Sequence, residues 1–377
     1  MKVKLESFLQ EVSEKTTENN QYQVLTSSKV GLYLQSDYFN KQVASKDNKG
    51  YKIIKKGQFT YRAMSDTGEF FPNMLECTDI GIVSPAYPVF EIVKPVIIPE
   101  YLKYYFKSNG FQQSISSFAQ GSTRTSIKYG KLKTVSMDLP NLEEQKRVIA
   151  ILDTIHNIID SSKQELKMFD DLIKARFVEM FGDPVTSLKG RKQVPFSEFM
   201  TDIKYGTSQP PQFSEDGEYK FIRATNIKKG RITEENMLRI SEAEAAKIQK
   251  CKLLGNEIII VRSGANTGDT CVVTTEYAEN YAGYDIIITL DLTKANPVYF
   301  NELINTHYME QIVKPLTARS AQPHLNTKQV QGMPMIVASM DEQNEFAVFV
   351  EQVDKSKLMF QKLHQKLNIL RQKAGNI

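Results

Sequence analysis

Polar and basic side chains gather in one loop of the second half of the chain. The segment RATNIKKGRI carries six of them, namely Arg223, Thr225, Asn226, Lys228, Lys229 and Arg231. Arginine can clamp guanine through two hydrogen bonds, asparagine can do the same with adenine, and lysine neutralises phosphate. A proline-stiffened loop, YGTSQPPQF at 205–213, adds Ser208 and Gln209. Any one of these residues alone is more often a plain surface residue, so the prediction of nucleic-acid binding depends on similar loops elsewhere in the chain.

The first half of the chain has comparable segments. They are LTSSKVGLYLQSDYF at 25–39 and KQVASKDNKGYKIIKK at 41–56, which places six lysines within sixteen residues. Residues 1–140 carry 18 basic and 13 acidic side chains, a net +5 in a chain whose total is +4. A run of this kind is either a solvated surface loop or a surface that faces phosphates. The further predicted DNA-contacting residues are Lys29, Lys52, Lys55, Lys56, Arg62, Arg124, Lys128, Arg262 and Arg319.

The sequence contains no catalytic signature. The phosphate-binding pattern G-x-x-x-x-G-K-[ST] is absent, and GANTGD lacks the glycine spacing of a dinucleotide fingerprint. The flanks of SQPPQF do not match the asparagine- or aspartate-proline-proline-aromatic motif of amino-methyltransferases. The four histidines and three cysteines show no zinc-ligand spacing, so we predict neither a metal site nor a catalytic residue. These absences favour a recognition or assembly component over an enzyme.

The bulk composition sets the broad class. A chain of 377 residues, 41% hydrophobic and 24% charged, is large enough for two or three globular domains. No apolar run approaches the roughly 18 residues that cross a bilayer, and the N-terminus acquires acidic residues too early for a secretory signal. The cysteines are widely spaced, which suggests free thiols in a reducing compartment. We therefore predict a cytoplasmic location.

One helix-start pattern occurs twice in the chain. It reads NLEEQ at 141–145 and SMDEQ at 339–343, a separation of 198 residues. Further upstream, RAMSDTG aligns with RSGANTG, and VKLESFLQEV resembles VPFSEFMTDI. Matches that keep their order and approximate spacing over nearly half the chain indicate an internal repeat. The chain therefore resembles two divergent copies of one unit.

Each copy ends in a long predicted helix. Asn141 with Glu144, and Ser339 with Glu342, form the sequence pattern of a capping box. Apolar residues then follow at alternating steps of four and three, interrupted by Ser162 in the first copy and by Ser356 in the second. In the first copy they are Leu152, Ile155, Ile159, Leu166, Phe169 and Ile173. In the second copy they are Phe346, Phe349, Val353, Phe360, Leu363, Leu367 and Leu370. This spacing is typical of a coiled coil. The first helix is expected to stop at FGDP, where glycine precedes proline by two residues.

These features predict an α+β protein. Two globular domains with short strands and helices, at 1–140 and 185–338, alternate with spacer helices at 141–184 and 339–377. The simplest packing of the helices is an antiparallel coiled coil, with the globular domains in a pseudo-twofold arrangement. The alternative is that the two helices are unrelated core helices of a larger bundle. A duplicated chain of the first kind imitates a dimer and suits a periodic partner.

The first helix region also resembles a known family. The segment LPNLEEQKRVIAILDTIHNIIDSSKQELKMFDDLIKARFVEMFGDP resembles the central conserved region of specificity (S) subunits of type I restriction–modification systems. RSAQPHLNTKQVQGMPMIVASMDEQ is similar to a second, more degenerate occurrence, and VRSGANTGDTCVV resembles a pattern within a target-recognition domain. The second copy departs from the family pattern because it lacks the ARFVEMFGDP ending and has Pro323 and His324 in place of Thr125 and Ser126.

The resemblance implies a function for each part of the chain. It implies two target-recognition domains, each reading one half of a bipartite double-stranded DNA site, and a helix pair that sets the distance between the half-sites. It also implies a non-catalytic chain without its own cofactor. Two modification (methyltransferase) subunits would supply S-adenosylmethionine chemistry, and restriction (motor-nuclease) subunits would use ATP and Mg²⁺. The docking surface would follow the helix flanks 146–180 and 341–371, with Glu144, Gln145, Arg147, Arg176, Glu342 and Gln343 as the predicted docking residues.

Two other functions remain open on the sequence. One is a coiled-coil adaptor that joins proteins without reading DNA. The other is a standalone DNA nuclease or methyltransferase whose catalytic motifs are not recognisable.

Overall fold

A computed structural model describes residues 1–38, 47–118, 125–317 and 323–374. The chain divides into two compact units, Met1–Lys163 with Lys362–Ile377, and Gln164–Gln361. Each unit combines one globular part with a portion of both long helices, so the units differ from the four segments predicted from the sequence. Within the described residues no helix is long and apolar enough to span a membrane.

The globular part of the first unit is built from short antiparallel strands and four short helices. The strands are β1 (Lys2–Lys4), β2 (Leu9–Val12), β3 (Leu25–Ser27), β4 (Leu32–Leu34), β5 (Lys52–Lys55), β6 (Phe59–Thr60), β7 (Met64–Ser65), β8 (Asn73–Met74), β9 (Ile80–Val83), β10 (Val89–Ile92), β11 (Thr125–Ser126) and β12 (Ser136–Asp138). The helices are α1 (Gln35–Tyr38), α2 (Pro99–Tyr105), α3 (Asn109–Ser116) and α4 (Tyr129–Leu132). A four-stranded sheet has the order β2-β10-β6-β8, and its residues Phe59 and Phe90 pack in the core against each other and against Phe106, which directly follows α2.

The first long helix, α5 (Leu142–Phe181), leads from this part of the chain into the second unit. The second unit contains β13 (Gln193–Pro195), β14 (Met200–Tyr205), β15 (Tyr219–Ile222), β16 (Ile227–Lys228), β17 (Arg231–Ile232), β18 (Leu238–Ile240), β19 (Ile258–Ile260), β20 (Thr270–Val272), β21 (Tyr281–Ala282), β22 (Ile286–Leu290) and β23 (Pro334–Ile336). Its helices are α6 (Glu242–Lys247), α7 (Pro297–Ile304), α8 (Lys314–Thr317) and α9 (Thr327–Gln331), and the chain ends in α10 (Met340–Ala374).

The two globular parts share one plan, as the internal repeat predicts. The sheet β14-β22-β19-β20 repeats the order of β2-β10-β6-β8. In both parts the first strand pairs with the strand that precedes a long helix, so that Val3 lies opposite Met137 and Val194 opposite Met335. A proline-led helix follows the central sheet in each part, α2 in one and α7 in the other. The second part also has a sheet of the order β18-β15-β21, in which β15 pairs antiparallel with β18 and parallel with β21. The first part has related pairings, because β3 pairs antiparallel with β4 and Val24 forms a parallel bridge to Ile82 in β9.

Both long helices begin at the predicted capping boxes. In α5 the Asn141 side chain accepts from the Glu144 amide, and the Glu144 carboxylate accepts from the Asn141 amide. Ser339 and Glu342 exchange the same two hydrogen bonds at the start of α10. The first helix ends as predicted, because Gly182 takes a φ of +86°, a backbone angle that residues with a side chain rarely adopt.

In the second unit, α5 and α10 pack antiparallel. Phe169 contacts Phe360 with ring centroids 5.5 Å apart, and Phe177 contacts Phe346 at 5.4 Å. Residue numbers therefore rise along one helix as they fall along the other. Ile173 and Val353 belong to the same buried cluster. The prediction of an antiparallel helix pair holds for this part of the chain.

The buried stripe of α10 differs from the predicted one at its C-terminal end. Leu363 and Leu370 are 46% and 52% exposed, whereas His364 is half-buried and Leu367 is buried. The alternation of four and three, continued from Val353, passes through positions 357, 360, 364 and 367. The predicted stripe followed the leucines because polar residues occupy two of these positions. In α5, Ser162 is buried on the stripe and does not interrupt its spacing.

Candidate DNA interface and docking helices

The glutamine of each repeated helix start is a buried tie between the helix and its globular part. The Gln145 amide donates to the carbonyls of Val96 and Pro140 at 3.0 and 2.9 Å, and its oxygen accepts from the Ile98 amide at 2.8 Å. Three backbone groups in a chain turn are satisfied by one side chain. Gln145 is fully buried, so it cannot contribute to a docking surface as predicted.

Gln343 makes the same three bonds in the second unit. It donates to Lys294 and Ala338 at 3.1 and 2.9 Å and accepts from Asn296 at 2.8 Å. Each partner is displaced by 198 residues from its counterpart in the first unit. Gln343 is also fully buried, so the predicted docking role is wrong here for the same reason. The repeat of these sequence letters therefore preserves a structural attachment.

The other predicted docking residues differ in accessibility. Glu144 and Arg147 are exposed, and the structure leaves them available to a partner. Arg176 is half-buried and pairs with Glu179 and, across the helix pair, with Glu345 at 3.1 Å. Glu342 accepts from Arg191 at 2.6 Å, and this bond, together with the Ser339 hydrogen bonds, lowers the pKa of Glu342 to about 2. Glu342 therefore stabilises the start of α10, and its carboxylate is already bonded within the protein.

In the loop at 223–232, Asn226 organises the backbone. Its side chain accepts from the Arg223 amide at 3.2 Å and donates to the carbonyls of Thr233 and Glu235 at 3.3 and 3.0 Å. The residue is fully buried. The predicted clamp on adenine does not agree with this position, because the amide already has internal partners and no solvent access. Arg223 itself donates to the Asn236 carbonyl at 2.7 Å.

Arg231 is an internal ion-pair partner in the second unit. Its guanidinium lies 2.5 Å from Glu302 and 2.6 Å from Asp354 on α10. Burial opposes the charge, but the two carboxylates outweigh burial and raise the pKa of Arg231. The predicted phosphate contact does not fit, because the guanidinium is already paired with two carboxylates of the protein. The structure gives Arg231 the role of fixing the loop to α10.

The remaining polar residues around this loop are accessible. Lys228 pairs with Glu235 at 2.6 Å, and Lys229 lies 3.7 Å from Asp170 while remaining 84% exposed. Ser208 and Gln209 are exposed in a turn where the Thr207 hydroxyl donates to the Gln209 carbonyl. These four side chains can reach an external ligand, so their predicted contacts with DNA stay predictions.

Arg262 lies in a cage formed by Tyr205, Tyr284 and His324. The centre of its guanidinium is 4.3 Å from the Tyr205 ring centroid and 4.5 Å from that of Tyr284. Its Nε and Nη2 atoms lie 3.4 and 3.3 Å from Nε2 of His324, which accepts from them. Sequence reasoning did not find the three cage residues, because they are separated from Arg262 by 57, 22 and 62 positions.

A buried carboxyl supports the backbone of this cage. Oδ1 of Asp285 accepts from the Arg262 amide at 3.0 Å, and the Asp285 carbonyl accepts from Gly206. Burial is the main cause that raises the pKa of Asp285 to about 6. The end of β14, the end of β19 and the start of β22 therefore lie around Arg262.

In the first unit, Lys29 and Arg62 line an open cleft of about 290 Å³. Lys29 pairs with Glu69 at 3.0 Å and lies over the Phe71 ring, and Arg62 lies 4.0 Å from Asp66. The cleft also contains small polar side chains, namely Ser27, Ser28, Ser65 and Thr67. Its walls present donors and acceptors to solvent, as a groove that contacts nucleic acid requires.

The other basic residues predicted in the first half are distributed on its surface. Lys52, Lys55 and Lys56 lie near Glu11, Glu14 and Asp79 at 3.7, 2.8 and 3.5 Å. Lys128 is exposed just before α4. Arg124 and Arg319, with the lysines at 41 and 46, lie outside the described residues.

The described part of the chain contains no cluster of histidine, cysteine and carboxylate side chains that could hold a metal ion. The three cysteines are free thiols, with Cys77 exposed and Cys251 and Cys271 buried. Burial raises the pKa of both buried thiols, which makes them poor nucleophiles.

Two regions of the chain, 6–168 and 200–370, match the model of one protein family, the type I restriction modification DNA specificity domain. The chain belongs to this family. The match confirms the predicted resemblance, and its two regions agree with the internal repeat. A specificity subunit is a recognition component, so the prediction that the chain is not itself an enzyme is also confirmed.

Curated relatives of this chain are specificity subunits. The specificity subunit of the type I restriction enzyme EcoKI from Escherichia coli K12 is 23% identical to this chain over 278 residues, which cover 68% of this chain and 59% of the relative. That of StySPI from Salmonella potsdam is 22% identical over 277 residues, with coverage of 68% and 58%. The chain thus spans about three-fifths of the length of these relatives.

Solved structures share the fold. A type I restriction–modification S subunit from M. genitalium matches with a TM-score of 0.56 and 14% identity, covering 100% of this chain and 95% of that one. A chain from a structural study of complex assembly and conformational transition in a type I system gives 0.59 and 17%, with coverage of 100% and 96%. At such identities the likeness concerns the fold alone, and it confirms the predicted α+β class.

Proposed function

We propose that this chain is the DNA-recognition subunit of a type I restriction–modification enzyme. Its two target-recognition domains, one in each half, read the two parts of a bipartite double-stranded DNA site. The observation that carries the proposal is the double match to a DNA specificity domain, supported by a common sheet order and a common buried glutamine in both halves.

The accessible polar residues divide into two kinds of DNA contact. Lysines such as Lys56, Lys128 and Lys229 neutralise phosphates and fix the position of each domain on the duplex. We expect the base-reading residues to lie in the cleft lined by Arg62 and in the cage around Arg262, where several strand ends or loops converge. Asn226 and Arg231 act indirectly, because they hold the loop that presents Lys228 and Lys229.

The long helices provide the docking surface for two modification subunits, and restriction subunits join the assembly. Large apolar side chains are exposed along both helices, and they include Ile151, Ile158, Met168 and Leu172 on α5 and Leu358, Met359, Leu363 and Ile369 on α10. Exposed apolar residues in such number are typical of a protein interface. S-adenosylmethionine, ATP and Mg²⁺ belong to the partner subunits, and the complex works in the cytoplasm.

Charges placed on this apolar surface are expected to weaken assembly. Met168→Glu combined with Met359→Glu should lower retention of the modification subunit at least tenfold in co-purification from cells, because both charges would be desolvated at the interface. Lys167→Glu, at an exposed neighbouring position, is the matched control. Equal retention of all variants would place the docking surface elsewhere.

The helix pair sets the number of unread base pairs between the two half-sites. Inserting seven residues into α5 and seven at the facing position of α10 keeps the apolar spacing and lengthens both helices by about 10 Å. The methylated site should then keep both half-sites and gain about three base pairs between them. A lengthened but still active complex that methylates with the original gap would contradict this role.

The function is tested by sequencing methylated DNA from a host that lacks other methylation. The host carries this gene with the modification gene beside it. A two-part methyladenine motif with a fixed gap, lost when this gene is deleted, is the expected result. A continuous motif would mean that one domain alone reads DNA. An assembled complex without methylation would favour the adaptor function, and methyl transfer or cleavage by the purified chain alone would favour a standalone enzyme.

A further inference from the structure

We propose that Arg262 reads a guanine in the half-site bound by the second target-recognition domain, and that Tyr205, Tyr284 and His324 position it. This inference rests on the proposed function. It assigns base readout to one residue of a large basic set, and it gives the other basic residues of this half a different task.

The cage fixes the plane of the guanidinium. Two tyrosine rings lie within 4.5 Å of its centre, and one imidazole nitrogen occupies its Nε and Nη2 side. A surface arginine that only neutralises phosphate gains little from such restriction, because charge attraction has no strict angular requirement. A bidentate base contact does require a fixed plane, and a positioned guanidinium loses less entropy when it binds.

The cage also determines which hydrogen-bond donors remain. His324 uses the Nε side, so the remaining donors are Nη1 and the second hydrogen of Nη2 at the end of the side chain. Within the described residues no group accepts from Nη1. The two terminal donors therefore form a fork that fits a pair of acceptors. In the major groove only guanine presents two adjacent acceptors, O6 and N7.

The surroundings place this fork at an accessible edge of the second unit. Tyr284 is 43% exposed, and the exposed residues Ser208 and Gln209 follow Tyr205 in the same loop. Leu325 donates to the Arg262 carbonyl, which adds a second backbone attachment beside that of Asp285. The side chain thus projects from a backbone that is held on both sides.

The corresponding arginine of the first half lacks this device. Arg62 occupies the repeat position, but its side chain is 52% exposed and its guanidinium lies 4.0 Å from the Asp66 carboxylate. No tyrosine ring among the described residues lies against its guanidinium in the way that Tyr205 and Tyr284 do for Arg262. The inference is therefore specific to one half-site.

The test uses the complete methyltransferase complex and a DNA library in which both half-sites are randomised. Arg262→Ala should lower discrimination at one guanine position of the second half-site by about 10- to 100-fold. It should leave the first half-site and the affinity for random duplex within about twofold. Lys228→Ala is the contrasting variant, expected to weaken binding to cognate and random duplexes equally.

The positioning residues are tested by matched replacements. Tyr284→Leu keeps an apolar side chain but removes the ring, and it should relax the same guanine position, whereas Tyr284→Phe should restore discrimination. Hydrogen exchange of the second unit identifies a variant that fails to fold, in which case Arg262→Lys, which keeps the charge and loses the fork, gives the decisive measurement.

Several results would overturn the inference. One is equal loss of cognate and random binding on Arg262→Ala, which would make Arg262 a phosphate contact. Unchanged discrimination is another, and relaxation of the first half-site is a third. Failure of the proposed function is distinct, because the unaltered complex would then show no preference in the library at all.

Discussion

Gln343→Glu is expected to destabilise the second unit by about 3 kcal/mol or more. The replacement keeps the size of the side chain and the acceptor that receives the Asn296 amide. It removes both donors, so that the carbonyls of Lys294 and Ala338 lose their buried partners and face a carboxylate oxygen. Unsatisfied buried groups and a desolvated charge both oppose folding, and Gln343 is fully buried.

Hydrogen exchange measured by mass spectrometry can locate this effect. The peptides that contain residues 291–297 and the start of α10 should exchange far faster, whereas those of the first unit should not change. Gln352→Glu is the matched control, because Gln352 is exposed on the same helix and should change stability by less than about 0.5 kcal/mol.

The counterpart substitution sharpens the test. Gln145→Glu should produce the same loss in the first unit and leave the second unchanged, because its three hydrogen bonds are the same with other partners. If either substitution were silent in its own unit, the glutamine would not be the tie that the geometry indicates.

Arg231→Met is expected to cost about 2 kcal/mol in the second unit. Removal of one partner from a buried ion pair typically costs about 3–5 kcal/mol, and the value is reduced here because about a third of the Arg231 side chain is exposed. Glu302, which is 9% exposed, loses its ionic partner after the change and retains the hydrogen bond from the Asn301 side-chain amide. The loop that carries Lys228 and Lys229 should then exchange its amide hydrogens faster.

A double-mutant cycle separates this ion pair from other effects. Asp354→Asn combined with Arg231→Met should cost less than the sum of the single changes, because the two residues contact each other. Lys229→Met is the control, since its side chain is 84% exposed and its carboxylate neighbour is 3.7 Å away. If Arg231→Met instead lowered affinity for every duplex without loss of stability, Arg231 would contact phosphate after all.

Much of the fold could be predicted from local sequence. The capping boxes and the end of α5 at Gly182 lie where residue types predict them, because each depends on neighbours within a few positions. By contrast, the end of β15 at Ile222 depends on the buried Asn226, whose hydrogen bonds turn the backbone after the strand.

The candidate DNA-contacting residues were harder to predict from the sequence than the fold. Asparagine, glutamine and arginine have the donors and acceptors that bases require, and they are equally suited to satisfy buried backbone groups or carboxylates. Asn226, Gln145 and Arg231 took internal roles for this reason. Arg262 was predicted as one basic residue among many, and its cage residues carried no local signal.

The sequence by itself determined that the chain contains two copies of one unit, where each long helix begins and which family it belongs to. These follow from short-range spacing and from residue types that repeat. Only the tertiary structure decided which polar side chains are available to a ligand. Burial and hydrogen-bond partners depend on groups that are distant in sequence, such as Asp354, which lies 123 positions from Arg231, and the free energy of desolvation acts on contacts in space.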